Sequence, residues 1–375
     1  MTEKELLNSN FLELPLNRDD NDFPKYVEEY LSNYIERLKK VDGRFSKEIN
    51  NRLPLITELA NGLIESIEKY YIGKTAESYT LFKKAVDTIK PYLDIQLFNI
   101  NSKDFQQEIY FKARTFQGKQ LSKKDMFIRP FEHREIIPTY RYSIPGLPCL
   151  YLSSHISTAW CELDYPDINT LQISKFEIDK SFKRLYFTWN INNYRIILKT
   201  KVPNDAIDRQ FLRYLTYFPL HALCSLKIKN PNSIFKPEYI FPQFLMQWIG
   251  EENIDMIEYM STQVDYSKFN TENSFIQYKN IAIPAKKSKV NGICEILKSK
   301  IKVTEPISWQ NLMSTYPTLN IPKKENNHHH DIQNMLNSVL QIELIKGKSI
   351  MYDDSIFGIL ENYLKNEMIA DYVIE

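Results

Sequence analysis

RYSIPGLPCLYLSSHISTAWCE, Arg141–Glu162, opens on a cation and closes on a carboxylate. Within it, Ile144–Gly146 reads as a turn, because Pro145 fixes φ and Gly146 permits φ > 0. Cys149–Leu152 (CLYL) then reads as a short buried strand, and STAWCEL as the start of a helix. Ser154 or Ser157 is the expected N-cap, with Glu162 on the early turns. Turn, strand and helix in that order direct Arg141, Tyr151 and Glu162 toward one cleft. A carboxylate among apolar elements needs partners, so this set is either a structural ion pair or a site.

Outward from this stretch, the region 105–285 is mixed. EIYFKAR, LQISKFEI, RLYFTW and DMIEYMS have the look of strands, whereas FLRYLTYFPLHALCSL and EYIFPQFLMQWI have the look of helices. The intermingling lacks regular βαβ alternation, which predicts an α+β fold rather than a doubly wound sheet. Upstream, Tyr26, Val27, Tyr30, Leu31, Tyr34, Ile35 and Leu38 recur at helical spacing up to Gly43. A second helical run covers Ile49–Tyr71 and stops near Gly73, and a third ends at Pro91. Three helices with short loops predict a bundle. After Lys286 the chain turns polar through NIPKKENNHHHD, and helical patterns return around Met335–Leu344 and Ile356–Ile369. The expected domains are therefore a helical 1–104, an α+β 105–285 and a helical extension 286–375.

Composition limits the function classes. The 375 residues hold 48 basic and 47 acidic side chains, so the net charge is +1, which argues against a general phosphate-binding surface for nucleic acid. Neither a leader-like start nor an apolar run of membrane-spanning length is visible, so a cytoplasmic protein with no membrane partner is expected. Cys149, Cys161, Cys224 and Cys294 show no CxxC pairing and read as reduced thiols. A Rossmann fingerprint and a Walker loop are both absent from the sequence, and nine glycines leave little room for either. No metal is expected: His328–His330 sit in a polar, Asn-rich run, and His221 reads as a core residue of an apolar helix.

The quoted stretch resembles the signature of the RES domain family, in the branch that reads RYSIPG-x-P-x-LYL followed by a helix with a Glu. Two further segments agree. FKPEYIFPQFLMQWI (Phe235–Ile249) is similar to that branch's PEYIIPQ-x-L-x-QWI helix, and IEYMSTQVD (Ile257–Asp265) resembles its strand ending in Ser, here Ser261. The resemblance covers roughly residues 105–285. It implies a fold related to ADP-ribosylating toxins and an enzyme that consumes NAD as a substrate, with no cofactor. Nicotinamide would be released with phosphate or water as acceptor, and depletion of NAD would be toxic to the cell. Within the resemblance, Glu162, Arg141 and Ser261 take the catalytic places. Tyr151, eleven positions before Glu162, takes a place beside nicotinamide or ribose. A carboxylate suits this chemistry because breaking the nicotinamide–ribose bond develops positive charge on the ribose, as in glycoside hydrolysis. A guanidinium suits a pyrophosphate.

One position departs from the family. YFKAR (Tyr110–Arg114) stands where an Arg-x-Arg pair is expected, so Lys112 replaces the first Arg while Arg114 keeps the second. Both are expected substrate-binding residues, with the Lys losing the planar fork. Arg129 and Arg134 of RPFEHR are further cations nearby in sequence. The N-terminal bundle resembles HEPN-like domains, but the first His is His133, beyond the bundle, so ribonuclease chemistry is not expected of it. Family relatives work with a helix-turn-helix antitoxin, which makes a regulatory protein an expected partner; a homo-oligomer stays open. The rival readings are an ADP-ribosyltransferase acting on a macromolecule or nucleotide, and an inactive interaction module of the same fold.

Overall fold

The computed structural model describes residues 5–6, 9–97, 108–116, 118, 120–192, 194–195, 205–264, 269–270, 278–315, 341–345, 348–367 and 369. In chain order the main elements are α1 (Phe23–Lys39), α2 (Ser46–Tyr71), α3 (Thr75–Ile89), β1 (Ile95–Leu97), β2 (Glu108–Thr115), α4 (Lys123–Met126), β3 (Cys149–Ser153), α5 (Ile156–Glu162), β4 (Leu171–Ile178) and β5 (Lys183–Phe187). They continue with α6 (Asp205–Cys224), α7 (Ile240–Glu251), β6 (Met256–Met260), β7 (Phe269–Asn270), β8 (Lys279–Pro284), α8 (Glu295–Lys300), β9 (Ile301–Val303), α9 (Trp309–Thr315), β10 (Gln341–Ile345), β11 (Lys348–Met351) and α10 (Ile356–Asn366). The fold is α+β.

The chain forms two units. The first comprises Met1–Ile95, Tyr140–Tyr142 and Leu185–Asn253; the second Gln96–Thr139, Ser143–Arg184 and Ile254–Glu375. The first unit is helical. Asp22 caps α1 by accepting from the Lys25 amide, and Phe23, Val27, Leu31, Tyr34, Ile35 and Leu38 form its buried face. Helices α2 and α3 approach closely at Gly62, where a Cβ would sit 2.6 Å from the Ala85 Cβ. Helix α6 is buried without a break from Tyr214 to Cys224, so it forms the centre of this unit rather than an amphipathic cover. Tyr34 Oη donates to the Leu215 carbonyl at 2.6 Å, and the Trp248 indole of α7 donates to Asp87 of α3 at 2.8 Å. The helical unit thus recruits α6 and α7 from the middle of the sequence, and the segment 286–375 belongs with the second unit.

An eight-stranded sheet has the order β1-β5-β6-β8-β3-β2-β4-β9. The pairs β6–β8, β8–β3, β3–β2, β2–β4 and β4–β9 are antiparallel. In the second unit both faces of the sheet are covered. On one, Tyr110, Leu150, Leu152, Phe176, Ile281 and Ile283 pack with Met126–Ile128 and Phe131. On the other, Phe111, Ala113, Leu171 and Ile173 pack with Ile156, Ala159 and Cys161 of α5 and with Phe357, Leu360 and Leu364 of α10. A smaller sheet has the order β11-β10-β7.

Three local expectations need correction. Helix α5 starts after His155, not at a serine cap, and Glu162 is its last residue rather than part of an early turn. Asp164 and Tyr165 adopt φ of 63° and 54°, and the amide of Tyr165 turns back to the Trp160 carbonyl, which ends the helix after two turns. Gln341–Leu344, within a stretch expected to be helical, belongs to strand β10, paired with Phe269–Asn270 on one side and β11 on the other. Partnering by neighbouring strands outweighs the weak helical pattern there. Residues 335–340 and the His328–His330 run lie outside the described residues. All four cysteines are free.

Candidate active site

Strand β3 alternates, and its register fixes which residues share a face. Ser153 stands opposite Phe111 on β2 and opposite Asn280 on β8, while Tyr259 of β6 stands opposite Asn280 from the far side. These side chains share the face that α5 covers. Because α5 follows β3 after only Ser154 and His155, its C-terminal end brings Glu162 over that face.

Glu162 is exposed, yet its Oε1 accepts from Ser261 Oγ at 2.6 Å and from Asn280 Nδ2 at 2.6 Å. The donors are buried, Ser261 at 0% and Asn280 at 2% exposure. Each is itself held. Ser153 Oγ donates to Asn280 Oδ1 at 2.6 Å, which orients the amide so that its NH2 faces the carboxylate. Ser261 Oγ accepts from the amides of Gln263 and Val264 at 3.1 and 3.3 Å, so its proton is directed at Glu162. The Ser261 amide donates to the Tyr278 carbonyl at 2.8 Å, continuing the β6–β8 ladder by one residue. The result is an accessible carboxylate fixed by charge-assisted bonds from the protein side. Such a group can meet a developing positive charge without first reorganising.

Of the residues expected from the sequence, Glu162 and Ser261 are thus brought together. Tyr151 lies on the same face, opposite Ala282 and one step from the Ser153–Asn280 pair, and is half-buried. Lys112 and Arg114 are placed differently. Their neighbour Phe111 shares the face of Ser153, so both point to the other side of β2, opposite Ser174 and Gln172. There Lys112 Nζ donates to the Phe127 carbonyl at 3.1 Å and the Arg114 guanidinium donates to the Asp125 carbonyl. Burial, with the nearby charges of Arg114 and Arg129, pushes the Lys112 amine down to about 7. Arg141 belongs to the helical unit, where it donates to the carbonyls of Cys224 and Leu226 at 3.3 and 2.7 Å and lies over the Tyr239 ring.

Asn280 was not among the expected residues. Its signal was a single amide in the apolar strand KNIAIP, which a buried sheet tolerates only when the amide is hydrogen-bonded. Glu258, next to Tyr259, faces the opposite side of the sheet. Its buried carboxylate takes Lys279 at 2.9 Å, Arg184 at 3.1 Å and the Tyr110 hydroxyl at 3.0 Å. Burial favours the neutral form of Glu258, but Lys279 and Arg184 hold it below the usual carboxylate range, a structural ion network. Among the described residues, no cluster of His, Cys, Asp and Glu is grouped to hold a metal ion.

Fold and site together define an α+β protein that presents a carboxylate whose Oε1 is anchored by two buried donors on a covered sheet. No family model matches the chain, and no solved structure matches it. Among curated proteins, it is 32% identical over 359 residues to "Putative toxin YopC" of Bacillus subtilis (strain 168), an alignment spanning 91% of this chain and 80% of that protein. The chain belongs to the family of that protein. Among the described residues, no helix is long and apolar enough to cross a membrane.

Proposed function

We propose that this is a toxin-like enzyme of the RES type that cleaves the nicotinamide–ribose bond of NAD. The observation that carries the reading is the exposed Glu162 carboxylate, held at Oε1 by Ser261 and Asn280. The resemblance of three ordered segments to the RES signature supports it, and so does the name of the YopC relative for a toxic outcome. In this reading the C–N bond between C1′ and the pyridinium breaks, its electron pair leaves with nicotinamide, and Glu162 stabilises the cationic ribose. Phosphate or water then adds to C1′ and loses a proton. Ser261 and Asn280 keep the carboxylate in place, and Tyr151 packs beside the substrate ring. The N-terminal helices serve as a HEPN-like scaffold or restraint, and a regulatory protein controls access.

Incubating the purified protein with NAD tests this. Release of nicotinamide is the expected result, and its dependence on added phosphate identifies the acceptor. Transfer of label from NAD to a macromolecule would instead identify an ADP-ribosyltransferase, which needs the same carboxylate. Absence of turnover over a protein concentration series would sink the enzymatic reading. A second reading, an inactive interaction module, is favoured by one observation: the bonds of Lys112 and Arg114 go to backbone carbonyls on the opposite face from Glu162.

A further inference from the structure

We propose that Glu361, in the C-terminal helix α10, is a positioning residue that sets the place of Glu162 by clamping the other end of α5. The proposal rests on the reading of Glu162 as the catalytic carboxylate.

Helix α5 is seven residues long, and its N-cap residue His155 makes no side-chain bond to the helix amides. His155 Nδ1 is instead bonded to Ser154 Oγ at 2.9 Å. The open helix start is closed from elsewhere. Glu361 Oε1 accepts from the Ile156 amide at 2.8 Å, across a sequence separation of 205 residues. Tyr352 Oη donates to the same oxygen at 2.5 Å and lies 3.5 Å from the Ser157 amide nitrogen. Glu361 is 1% exposed and Tyr352 0%. The other carboxylate oxygen has Lys365 Nζ at 3.5 Å.

A buried carboxylate is costly unless it is bonded, and a helix N-terminus is a favourable place for its charge. The clamp is itself built for accuracy. Ser355 caps α10 by accepting from the Gly358 amide at 3.2 Å and donates to the Tyr352 carbonyl at 2.6 Å. Gly358 permits this turn, since a Cβ there would lie 2.2 Å from the Tyr352 carbonyl oxygen. The His155 ring stands edge-on to Tyr352, with centroids 5.6 Å apart. Six residues, under two turns, separate Ile156 from Glu162, roughly 9 Å at 1.5 Å per residue. So short a rod has little bonding of its own, and a shift at Ile156 is carried to Glu162, whose Oε1 must meet two donors at 2.6 Å. The C-terminal segment therefore acts on Glu162 only through the placement of α5.

The test compares the full chain with Glu361→Ala, Glu361→Gln and Tyr352→Phe, measuring NAD turnover and hydrogen exchange of peptides from α5 and from α2. Glu361→Ala is expected to lower kcat tenfold or more with KM within threefold, and to raise exchange tenfold or more in α5 but not in α2. Glu361→Gln keeps an acceptor for the Ile156 amide and should stay within threefold of the parent in both readouts; Tyr352→Phe should fall between. Parent-like kcat and α5 exchange in Glu361→Ala would overturn the proposal. Should that variant fail to fold, parent-like values in Tyr352→Phe would overturn it instead. If the parent turns over no NAD, the functional reading fails separately. Exchange then decides alone: a rise confined to α5 supports the clamp, and parent-like exchange overturns it.

Discussion

Glu162 combines exposure with fixation: the residue reaches the surface, while its Oε1 is tied to two buried donors. Glu162→Gln should fold normally, because the amide oxygen can still accept from Ser261 and Asn280. It should lose at least a hundredfold in nicotinamide release, since a preorganised charge in such a place is commonly worth about 3 kcal/mol or more. A Gln variant keeping a tenth of parent turnover would remove Glu162 from the chemistry. Asn280→Ala should lose about tenfold to a hundredfold, the worth of a hydrogen bond to a charged group at about 1.5–3 kcal/mol. Comparable kcat in Asn280→Ala and parent would show that Ser261 alone holds the carboxylate. The sequence made Glu162 and Ser261 visible through their motifs. Asn280 was hidden because its meaning lies in a contact 118 residues away. The side taken by Lys112 was hidden for another reason: it depends on strand register, where a shift of one residue reverses every side chain.

Elements were legible wherever periodicity ran long. The apolar spacing of α1, α2 and α3 predicted three helices that the structure contains, and LQISKFEI and DMIEYMS predicted β4 and β6. The limits of α5 and the identity of β10 were not legible, because both are set by partners rather than by their own residues. Helix packing supplies a sharper check on the α2–α3 pair. The Gly62 position already places its hypothetical Cβ 2.6 Å from Ala85 Cβ, closer than two such atoms can stand. Gly62→Ala should therefore destabilise, by about 1–3 kcal/mol for overpacking, even though Ala is the better helix former. Adding Ala85→Gly should recover most of the loss. Denaturant unfolding of the two single variants and the double variant measures this directly, and purely additive losses would place the strain elsewhere.

At the scale of the whole molecule, α6 and α7 join the helices of the N-terminal segment although the sequence runs through sheet strands in between. Composition and pattern carry no mark of such a return. The burial of α6 has a consequence for acid stability. His221 is 1% exposed; its Nε2 donates to the Phe187 carbonyl at 3.1 Å, and the rings of Phe187, Tyr214 and Tyr217 surround it. Its Nδ1 has no hydrogen-bond partner among the described residues, so a proton there would be a buried, unanswered donor. Burial pushes His221 down to about 3, against the opposing influence of the Phe187 carbonyl. A depressed folded-state pKa means that the unfolded chain binds the proton first. The stability is complete above the unfolded value near 6.5 and is lost as pH falls toward 3. Between pH 7 and pH 5 this single group should remove about 2 kcal/mol, at about 1.4 kcal/mol per pH unit below 6.5. His221→Phe sacrifices the bond to Phe187 and should be less stable at pH 7, but its unfolding free energy should fall about 2 kcal/mol less between the two pH values. Urea titrations of both proteins at pH 7 and 5 isolate that difference, because the carboxylates common to both cancel; equal losses would mean that His221 is protonated in the folded protein.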